Sequence, residues 1–401
     1  MRLTLTFILL TTMIDAIGIS LILPIMPTLL REVGEFPLAE AALWGGVLTT
    51  VFAVMQFLCG PLLGALSDRF GRRPVLLTSL SVMALDYIVM AIAHTYWLLL
   101  LGRIIGGITA ATPATTAAAM ADISKPEEKA ARFGLFGAAF GIGFILGPPL
   151  GGLLADFGTR APFYAAAVLV FANTVLGYFV MPETVTDKNR RAFSWARANP
   201  LGAFRSVGMN PVLRRLLIVF FLYQIAFFVY PAVWAFFTEE RFGWSPRIIG
   251  ISLGAFGIMM AIVQGGLIRL ILKWLGEKGT VIYGITFNAF AFLFLALVTN
   301  GTVALFFTPI TALGAVVTPA IQGMMSKQTP DDSQGELQGV LASTNALAMI
   351  FAPMIMTWVF ATFAADDAPV YMPGAPFLLS MALMGACMAV YLSPIKPRGH
   401  Q

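Results

Sequence analysis

Apolar runs about as long as a bilayer is thick recur from one end of this chain to the other, and no other feature constrains its fold as much. About twenty predominantly apolar residues cross the hydrocarbon as a helix. Runs at 4–30, 41–65, 75–94, 96–121, 130–156, 161–181, 211–237, 247–272, 279–299, 301–325, 336–362 and 374–393 each approach that length. The stretch 279–325 must be two helices, because one would far exceed the membrane, and Asn300-Gly301 is the natural turn between them. Only 11% of the 401 residues are charged, less than half the roughly 25% of a soluble protein. The expected class is an all-α membrane protein, with twelve transmembrane helices in two pseudo-symmetric bundles of six.

Lysine and arginine placement sets the expected orientation. With the N-terminus inside, the inner loops hold Arg69, Arg72, Arg73, Lys125, Lys129, Arg132, Lys188, Arg190, Arg191, Lys273, Lys278 and Lys327. The outer loops hold Arg31, Arg160, Arg241 and Arg247. Both termini are then cytoplasmic. The longest polar connection, Glu183–Asn210, divides the chain into a bundle at 1–182, a cytoplasmic linker at 183–210 and a bundle at 211–401. Phe193-Ser-Trp195 would suit a surface helix on the inner leaflet, although a plain linker explains the segment as well. Gly276-Glu277-Lys278 repeats the place of Gly71-Arg72-Arg73, with Lys273 where the first copy has Asp68.

The net charge of +5 does not point to nucleic acid, because the basic residues are scattered through short loops. Cys59 and Cys387 lie in apolar runs as packed thiols, and His94 and His400 are too far apart in sequence to form a metal cluster. The first apolar run has no cleavage site after it and reads as a membrane helix rather than a signal peptide.

Gly64-Ala-Leu-Ser-Asp-Arg-Phe-Gly-Arg-Arg-Pro-Val75 is a dense charged turn between two apolar runs. A basic inner loop accounts for Arg69, Arg72 and Arg73, but not for Asp68, Gly64 and Gly71. Asp68 can pair with the arginines and helix ends, and the glycines permit tight turns and close helix approach. The pattern resembles the signature between helices 2 and 3 of major facilitator transporters. That resemblance implies their fold and casts Gly64, Asp68, Arg69, Gly71, Arg72 and Arg73 as a cytoplasmic gate.

Ionisable groups inside membrane helices are costly and functional by default. Asp15, Asp86 and Arg103 stand well inside the first, third and fourth runs. An aspartate in a mostly dry cavity can load and release a proton near neutral pH, and a nearby cation opposes the loading. A structural Asp–Arg pair that orients the three helices is the other reading of these residues. Leu101-Gly-Arg-Ile-Ile-Gly-Gly-Ile-Thr-Ala110 resembles the superfamily's helix-4 motif, whose arginine is associated with proton transfer. In the fifth run Gly143, Gly147 and Gly151 recur every four residues and make a smooth packing face. Pro148 and Pro149 bend the helix. With Gly152, the ordered Gly-x3-Gly-Pro-x2-Gly-Gly resembles the motif of drug/proton antiporters, which implies export. The face is expected to let the two bundles close on each other.

Asp15-Ala-Ile-Gly, Leu-Pro-Ile-Met-Pro-Thr-Leu-Leu-Arg31, Leu85-Asp-Tyr87, Thr238-Glu-Glu-Arg-Phe-Gly-Trp244, Pro319-Ala-Ile-Gln-Gly-Met-Met-Ser326 and Gln334-Gly-Glu-Leu-Gln-Gly339 look like the tetracycline-resistance efflux pumps. The resemblance runs through both halves. It implies proton coupling by Asp15, Asp86 and Arg103. It also places Gln56, Trp234 and Gln264 where that family handles drug or proton. Two residues depart from the pattern: Asn288 stands where the family has a helix-9 aspartate, and Met260 where it has a helix-8 histidine. Neither titrates near neutral pH, so proton handling would rest on the first half.

Aromatic and amide residues of the second half, including Phe227, Phe228, Tyr230, Trp234, Gln264, Asn288, Gln322 and Asn345, suit an uncharged or zwitterionic amphiphile. Packing or lipid contact is the plainer reading of each aromatic alone. The expected substrate-binding set is Gln56, Phe228, Trp234, Gln264, Asn288 and Gln322. No nucleotide-binding, hydrolase or metalloprotease motif appears in the sequence. The expectation is a proton-driven exporter of a lipophilic, tetracycline-like compound in a bacterial inner membrane. It would need no cofactor and function as a monomer, and a divalent cation could arrive with the substrate. A facilitator or importer of a small metabolite, or a receptor with a transporter fold, are the alternatives.

Overall fold

The computed structural model describes residues 2–110, 112–186, 211–330 and 333–394. The expected linker beyond Thr186, with Phe193-Ser-Trp195, and the C-terminal His400 lie outside them. The described residues are helical wherever the sequence is apolar, and none forms a strand. We number the membrane helices α1 (Arg2–Gly34), α2 (Leu38–Phe70), α3 (Arg72–Ile92), α4 (Tyr96–Ile123), α5 (Lys129–Leu154) and α6 (Ala161–Val180). The second half holds α7 (Pro211–Phe242), then a 52-residue run, Pro246–Leu297, that Gly276 divides into α8 and α9. It ends with α10 (Gly301–Lys327), α11 (Gln334–Ala364) and α12 (Ala375–Leu392). Eleven apolar runs thus give twelve spans.

Proline sets several interruptions that the apolar pattern does not show. A proline has no N–H for the carbonyl four residues back. α1 passes through a 3-10 turn at Leu23–Ile25, around Pro24. α4 breaks after Thr109, the residue Pro113 cannot serve, and α7 breaks at Phe228, next to the Phe227 carbonyl orphaned by Pro231. α10 loosens at Ala312–Gly314 and resumes at Val317, ahead of Pro319. α8 carries a π turn at Val263–Leu267. Side chains satisfy carbonyls freed in α10. Gly314 O accepts from Asn288 Nδ2 at 2.9 Å and from the Tyr223 hydroxyl at 3.4 Å, and Ala315 O accepts from Gln264 Nε2 at 3.4 Å.

One end of the molecule carries the basic loops; we call it the basic end and its opposite the far end. At the basic end, Gly71 turns the chain between α2 and α3 with φ 112° and ψ 155°, and Gly276 turns it between α8 and α9 with φ 64° and ψ 177°. Both values fall in a region that is essentially glycine-only. Arg72 binds Asp68 at 2.6 Å and Asp122, at the end of α4, at 3.1 Å. Glu183, just past α6, accepts from the backbone N–H groups of Arg72 and Arg73 at 2.9 and 3.3 Å. A side chain at Gly71 would collide with that carboxylate. In the second half Glu277 binds Lys327, at the end of α10, at 2.5 Å. The interval from Arg72 to Glu277 equals that from Asp122 to Lys327 and that from Gly71 to Gly276. The repeat therefore conserves the geometry of the latch and reverses its charges.

The halves meet along two seams, α2 against α11 and α5 against α8, and both seams are tight at the far end. Gly46 of α2 lies against Thr357, and the Thr50 hydroxyl donates to Ile350 O at 3.2 Å. Gly250, Gly254 and Gly257 of α8 sit against Pro148, Pro149 and Ile145 of α5. Arg31 pairs with Glu239, and Arg247 with Asp156 at 3.4 Å. Toward the basic end the same helices separate: among the described residues, a side chain built at Gly60, Gly64, Gly134, Gly137, Gly265 or Gly266 would meet nothing within 4 Å. Large outward side chains, among them Trp97, Phe157, Phe179, Trp274 and Phe306, give the lipid an apolar, aromatic-edged surface.

The two latches differ in burial, which fixes their expected weights. The Arg72–Asp122 side chains are 12% and 13% exposed, against 68% and 37% for Lys327 and Glu277. Breaking a fully buried pair strands its partner and costs about 3–5 kcal/mol, a cost the part-buried Arg72–Asp122 pair approaches from below, whereas an exposed pair contributes about 1 kcal/mol or less. Thermal unfolding of the purified protein in detergent should show a large loss for Arg72→Ala and little for Glu277→Ala.

Candidate functional site

A cavity of about 420 Å³ lies at the seam of the halves, closed toward the far end. That volume suits a drug-sized molecule. A smaller cavity of about 220 Å³ between α2 and α11 shares Ala53, Gln56 and Met349 with it and adds Phe57, Pro61 and Ser343. These residues prolong the space along the two helices toward the basic end.

The wall from the first half holds all the charge. Asp15 of α1, Asp86 of α3 and Arg103 of α4 line it with Gln56 and Tyr87. Arg103 Nη2 lies 3.4 Å from Asp86 Oδ2, and its guanidinium stands 5.4 Å above the centre of the Phe52 ring. Among the described residues, the pair leaves Asp86 Oδ1 and Arg103 Nε buried without hydrogen-bond partners. Asp15 is 5% exposed and makes no ion pair among the described residues. The Tyr87 hydroxyl packs against Gly18 of α1. Two glycines of α4 make room for Asp86: a Cβ at Gly102 would stand 2.7 Å from Oδ1, and one at Gly106 2.8 Å from Oδ2.

The wall from the second half is aromatic and sulfur-rich, with Phe227, Phe228, Tyr230, Phe256, Met260 and Met349. Tyr230 stacks on Phe256 with centroids 4.9 Å apart. Met26, Met83 and Met90 extend the thioether lining into the first half. Such unbranched side chains adapt to varied ligand shapes.

The structure thus brings Asp15, Asp86, Arg103, Gln56 and Phe228 together around one space. It places the other four expected substrate-binding residues elsewhere. Trp234 is fully buried in the core of the second half, where Nε1 donates to Ser252 Oγ at 2.9 Å and the ring meets Phe237, Trp244 and Phe377. Asn288 is fully buried as well, donating to the carbonyls of Gly284 and Gly314. Gln264 sits on the π turn and faces Ala315 O, and Gln322 on α10 does not line the cavity. Asn288 and Gln264 thus serve the broken helix rather than the cavity wall.

The helix-5 motif also divides its labour differently from the expectation. Gly143, Gly147 and Gly151 pack against α1, at Met13, Ser20 and Leu21, inside the first half. Pro148, Pro149 and Gly152 make the contact with α8 across the seam. The gate residues Asp68, Gly71, Arg72 and Arg73 find their partners within the first half. Arg73 donates to Tyr178 O at 2.6 Å, Arg69 lies over the Phe70 ring, and Gly64 faces open space. Sequence reasoning missed the acidic partners Asp122 and Glu183, which stand at helix ends where a charge draws no notice. It also missed Gln224 as a cavity residue, since one amide inside an apolar run reads as helix-to-helix packing.

Residues 8–353 match the family model described as Major Facilitator Superfamily. The chain is 41% identical to the tetracycline resistance protein, class C, of Escherichia coli, over 94% of this chain and 93% of that one. It is 38% identical to the class D protein of Salmonella ordonez, over 96% and 95%. A crystal structure of the human organic anion transporter MFSD10 superposes with a TM-score of 0.72 at 26% identity, over 97% of this chain and 99% of that one.

Three substitutions test this geometry through thermal unfolding in detergent. Gly106→Ala should overpack the Asp86 carboxylate at a cost of about 1–3 kcal/mol, while Gly137→Ala, which meets open space, should cost nothing. Asn288→Asp should destabilise by about 1–3 kcal/mol, because an ionised carboxylate has no donor for the Gly284 and Gly314 carbonyls.

Proposed function

The chain belongs to the Major Facilitator Superfamily, and from that membership we propose that it exports tetracycline-type drugs by alternating access, using protons that move inward. It is a transporter and not an enzyme. The observation that carries the reading is the cavity at the seam: closed at one end, open along the other, with two carboxylates and a guanidinium on one wall. The tetracycline resistance proteins that match nearly the whole chain support the cargo and the direction.

In this reading the basic end faces the cytoplasm of a bacterium, in keeping with the positive-inside rule, and both termini lie there. The structure then represents an inward-open state. A lipophilic drug enters between the halves and lies against Phe227, Phe228 and Phe256. Asp15 and Asp86 exchange protons with the cavity, and Arg103 steadies Asp86 when it is charged. The far-end contacts part as the basic end closes, and the drug leaves outward. Opening the far end means breaking Arg247–Asp156, an exposed and individually weak pair, and Arg31–Glu239, in which only the arginine is well exposed. Closing the basic end is unhindered at Gly60, Gly64, Gly134 and Gly137, where nothing yet fills the gap. The protein works as a monomer, with the proton gradient as its energy source and no resident cofactor. Any divalent cation travels as cargo, bound to the drug.

Proteoliposomes with an imposed pH gradient test the reading. Tetracycline should evoke proton movement in the unmodified protein. Asp15→Asn and Asp86→Asn should each reduce it by at least about a hundredfold, as expected when a group central to proton transfer is removed. Undiminished tetracycline-evoked flux in both variants would overturn the proton-coupling assignment.

A further inference from the structure

The charged groups that line the cavity, Asp15, Asp86 and Arg103, all come from the first half. From the second half come aromatic rings, methionines and one carboxamide, Gln224 of α7. Among the described residues, Gln224 is the only non-aromatic polar side chain that α7–α12 present to the larger cavity, Ser343 of α11 lining only the smaller one. Its neighbours along the helix, Phe227 and Phe228, face the same space. A polar group so placed in an apolar wall is either packing glue or a reader of cargo.

The way Gln224 is held argues for the second role. Nε2 donates to Asn345 Oδ1 of α11 at 2.6 Å, and Oε1 accepts from Thr318 Oγ1 of α10 at 3.4 Å. A carboxamide carries two N–H donors and two acceptor lone pairs. These bonds use one of each and leave one donor and one acceptor. Neither Asn345 nor Thr318 lines the cavity, so both hold the amide from behind. Being held in advance reduces the ordering cost of binding.

We propose that Gln224, kept in register by Asn345, is the substrate-orienting residue of the second half and binds a neutral donor–acceptor edge of the cargo. Carboxamides and keto-enols have such an edge. On a flat ring system that edge would meet the amide while the rings face Phe227 and Phe228. The opposite side of the cargo would then face Asp15 and Asp86. The amide fixes which way round the drug lies, and the carboxylates act on the side turned to them. This rests on the export reading above, and it assigns the second half a role in selecting cargo that needs no acid at Asn288.

Interhelical hydrogen bonds of such side chains contribute little to the stability of membrane proteins, so variants at these positions should fold. The test is equilibrium binding of tetracycline to the purified protein in detergent, alongside tetracycline-evoked proton flux in proteoliposomes. Gln224→Met, which keeps length and loses the amide, should raise Kd about tenfold, as expected for the loss of one or two neutral hydrogen bonds. Asn345→Leu, which frees the amide without removing it, should raise Kd by less, about threefold. The double variant should match Gln224→Met alone, because the amide through which Asn345 acts is gone. A tetracycline Kd unchanged by Gln224→Met would overturn this proposal and leave the export reading intact. Binding that weakens in Gln224→Met while the unmodified protein shows no proton flux would overturn the export reading and support the orienting role. Failure of the unmodified protein to bind tetracycline would overturn both.

Discussion

Two apolar bundles in a bilayer are not pressed together by the hydrophobic effect, because lipid is as apolar as the surfaces they would bury. Whatever joins the halves of this protein must come from close approach and a few polar contacts. The far end supplies both. Gly250, Gly254 and Gly257 bring α8 against Pro148, Pro149 and Ile145, while Thr50 and the pairs Arg31–Glu239 and Arg247–Asp156 add polar contacts. The smooth faces allow dense contact without knobs that lock, and the ion pairs are exposed enough to be exchanged for water. A seam built this way holds one state without making the other inaccessible. The cavity exists because the seam is tight at one end only.

Within each half the logic is the opposite. Gly143, Gly147 and Gly151 sink α5 onto α1, Gly102 and Gly106 receive Asp86, and Arg72 is gripped by Asp68, Asp122 and Glu183. Close packing at the glycines and the several bonds that hold Arg72 make the first bundle a body that can move as a unit. The second half reaches the same end with aromatic packing around Trp234, Phe292 and Phe377. Rigid halves on a loose seam are what alternating access about a fixed midplane site requires.

Much of this was legible in the sequence. Apolar length marked the spans, the turn at Asn300 separated α9 from α10, and Gly71 and Gly276 announced the repeat. Facing direction was not legible. In helices apolar on every side, no polar stripe tells which residues look inward, and Trp234 and Asn288 point into their own bundle. Nor could the breaks in α4, α7 and α10 be placed from hydropathy, although Pro113, Pro231 and Pro319 mark them once the orphaned carbonyls are counted. That accounting also explains Asn288 and Gln264. Each donates to a carbonyl in the broken stretch of α10, a local need that motif comparison does not reveal.

The charge-reversed latch shows how far the repeat constrains chemistry. Geometry is shared: a glycine in the same sparsely populated region, followed by a charge that reaches the end of the neighbouring helix. Sign is not shared, and neither is burial. In the first half Arg72 ties three acidic side chains together and holds the ends of α2, α3, α4 and α6 in one cluster. In the second, Glu277 has among the described residues a single, exposed ion-pair partner in Lys327. The same asymmetry runs through the cavity, where the first half carries the ionisable groups and the second a neutral amide among rings. The two halves thus share their turns but not their charge: the first is the charged, tightly fixed half, and the second lines the cavity with rings, thioethers and one carboxamide.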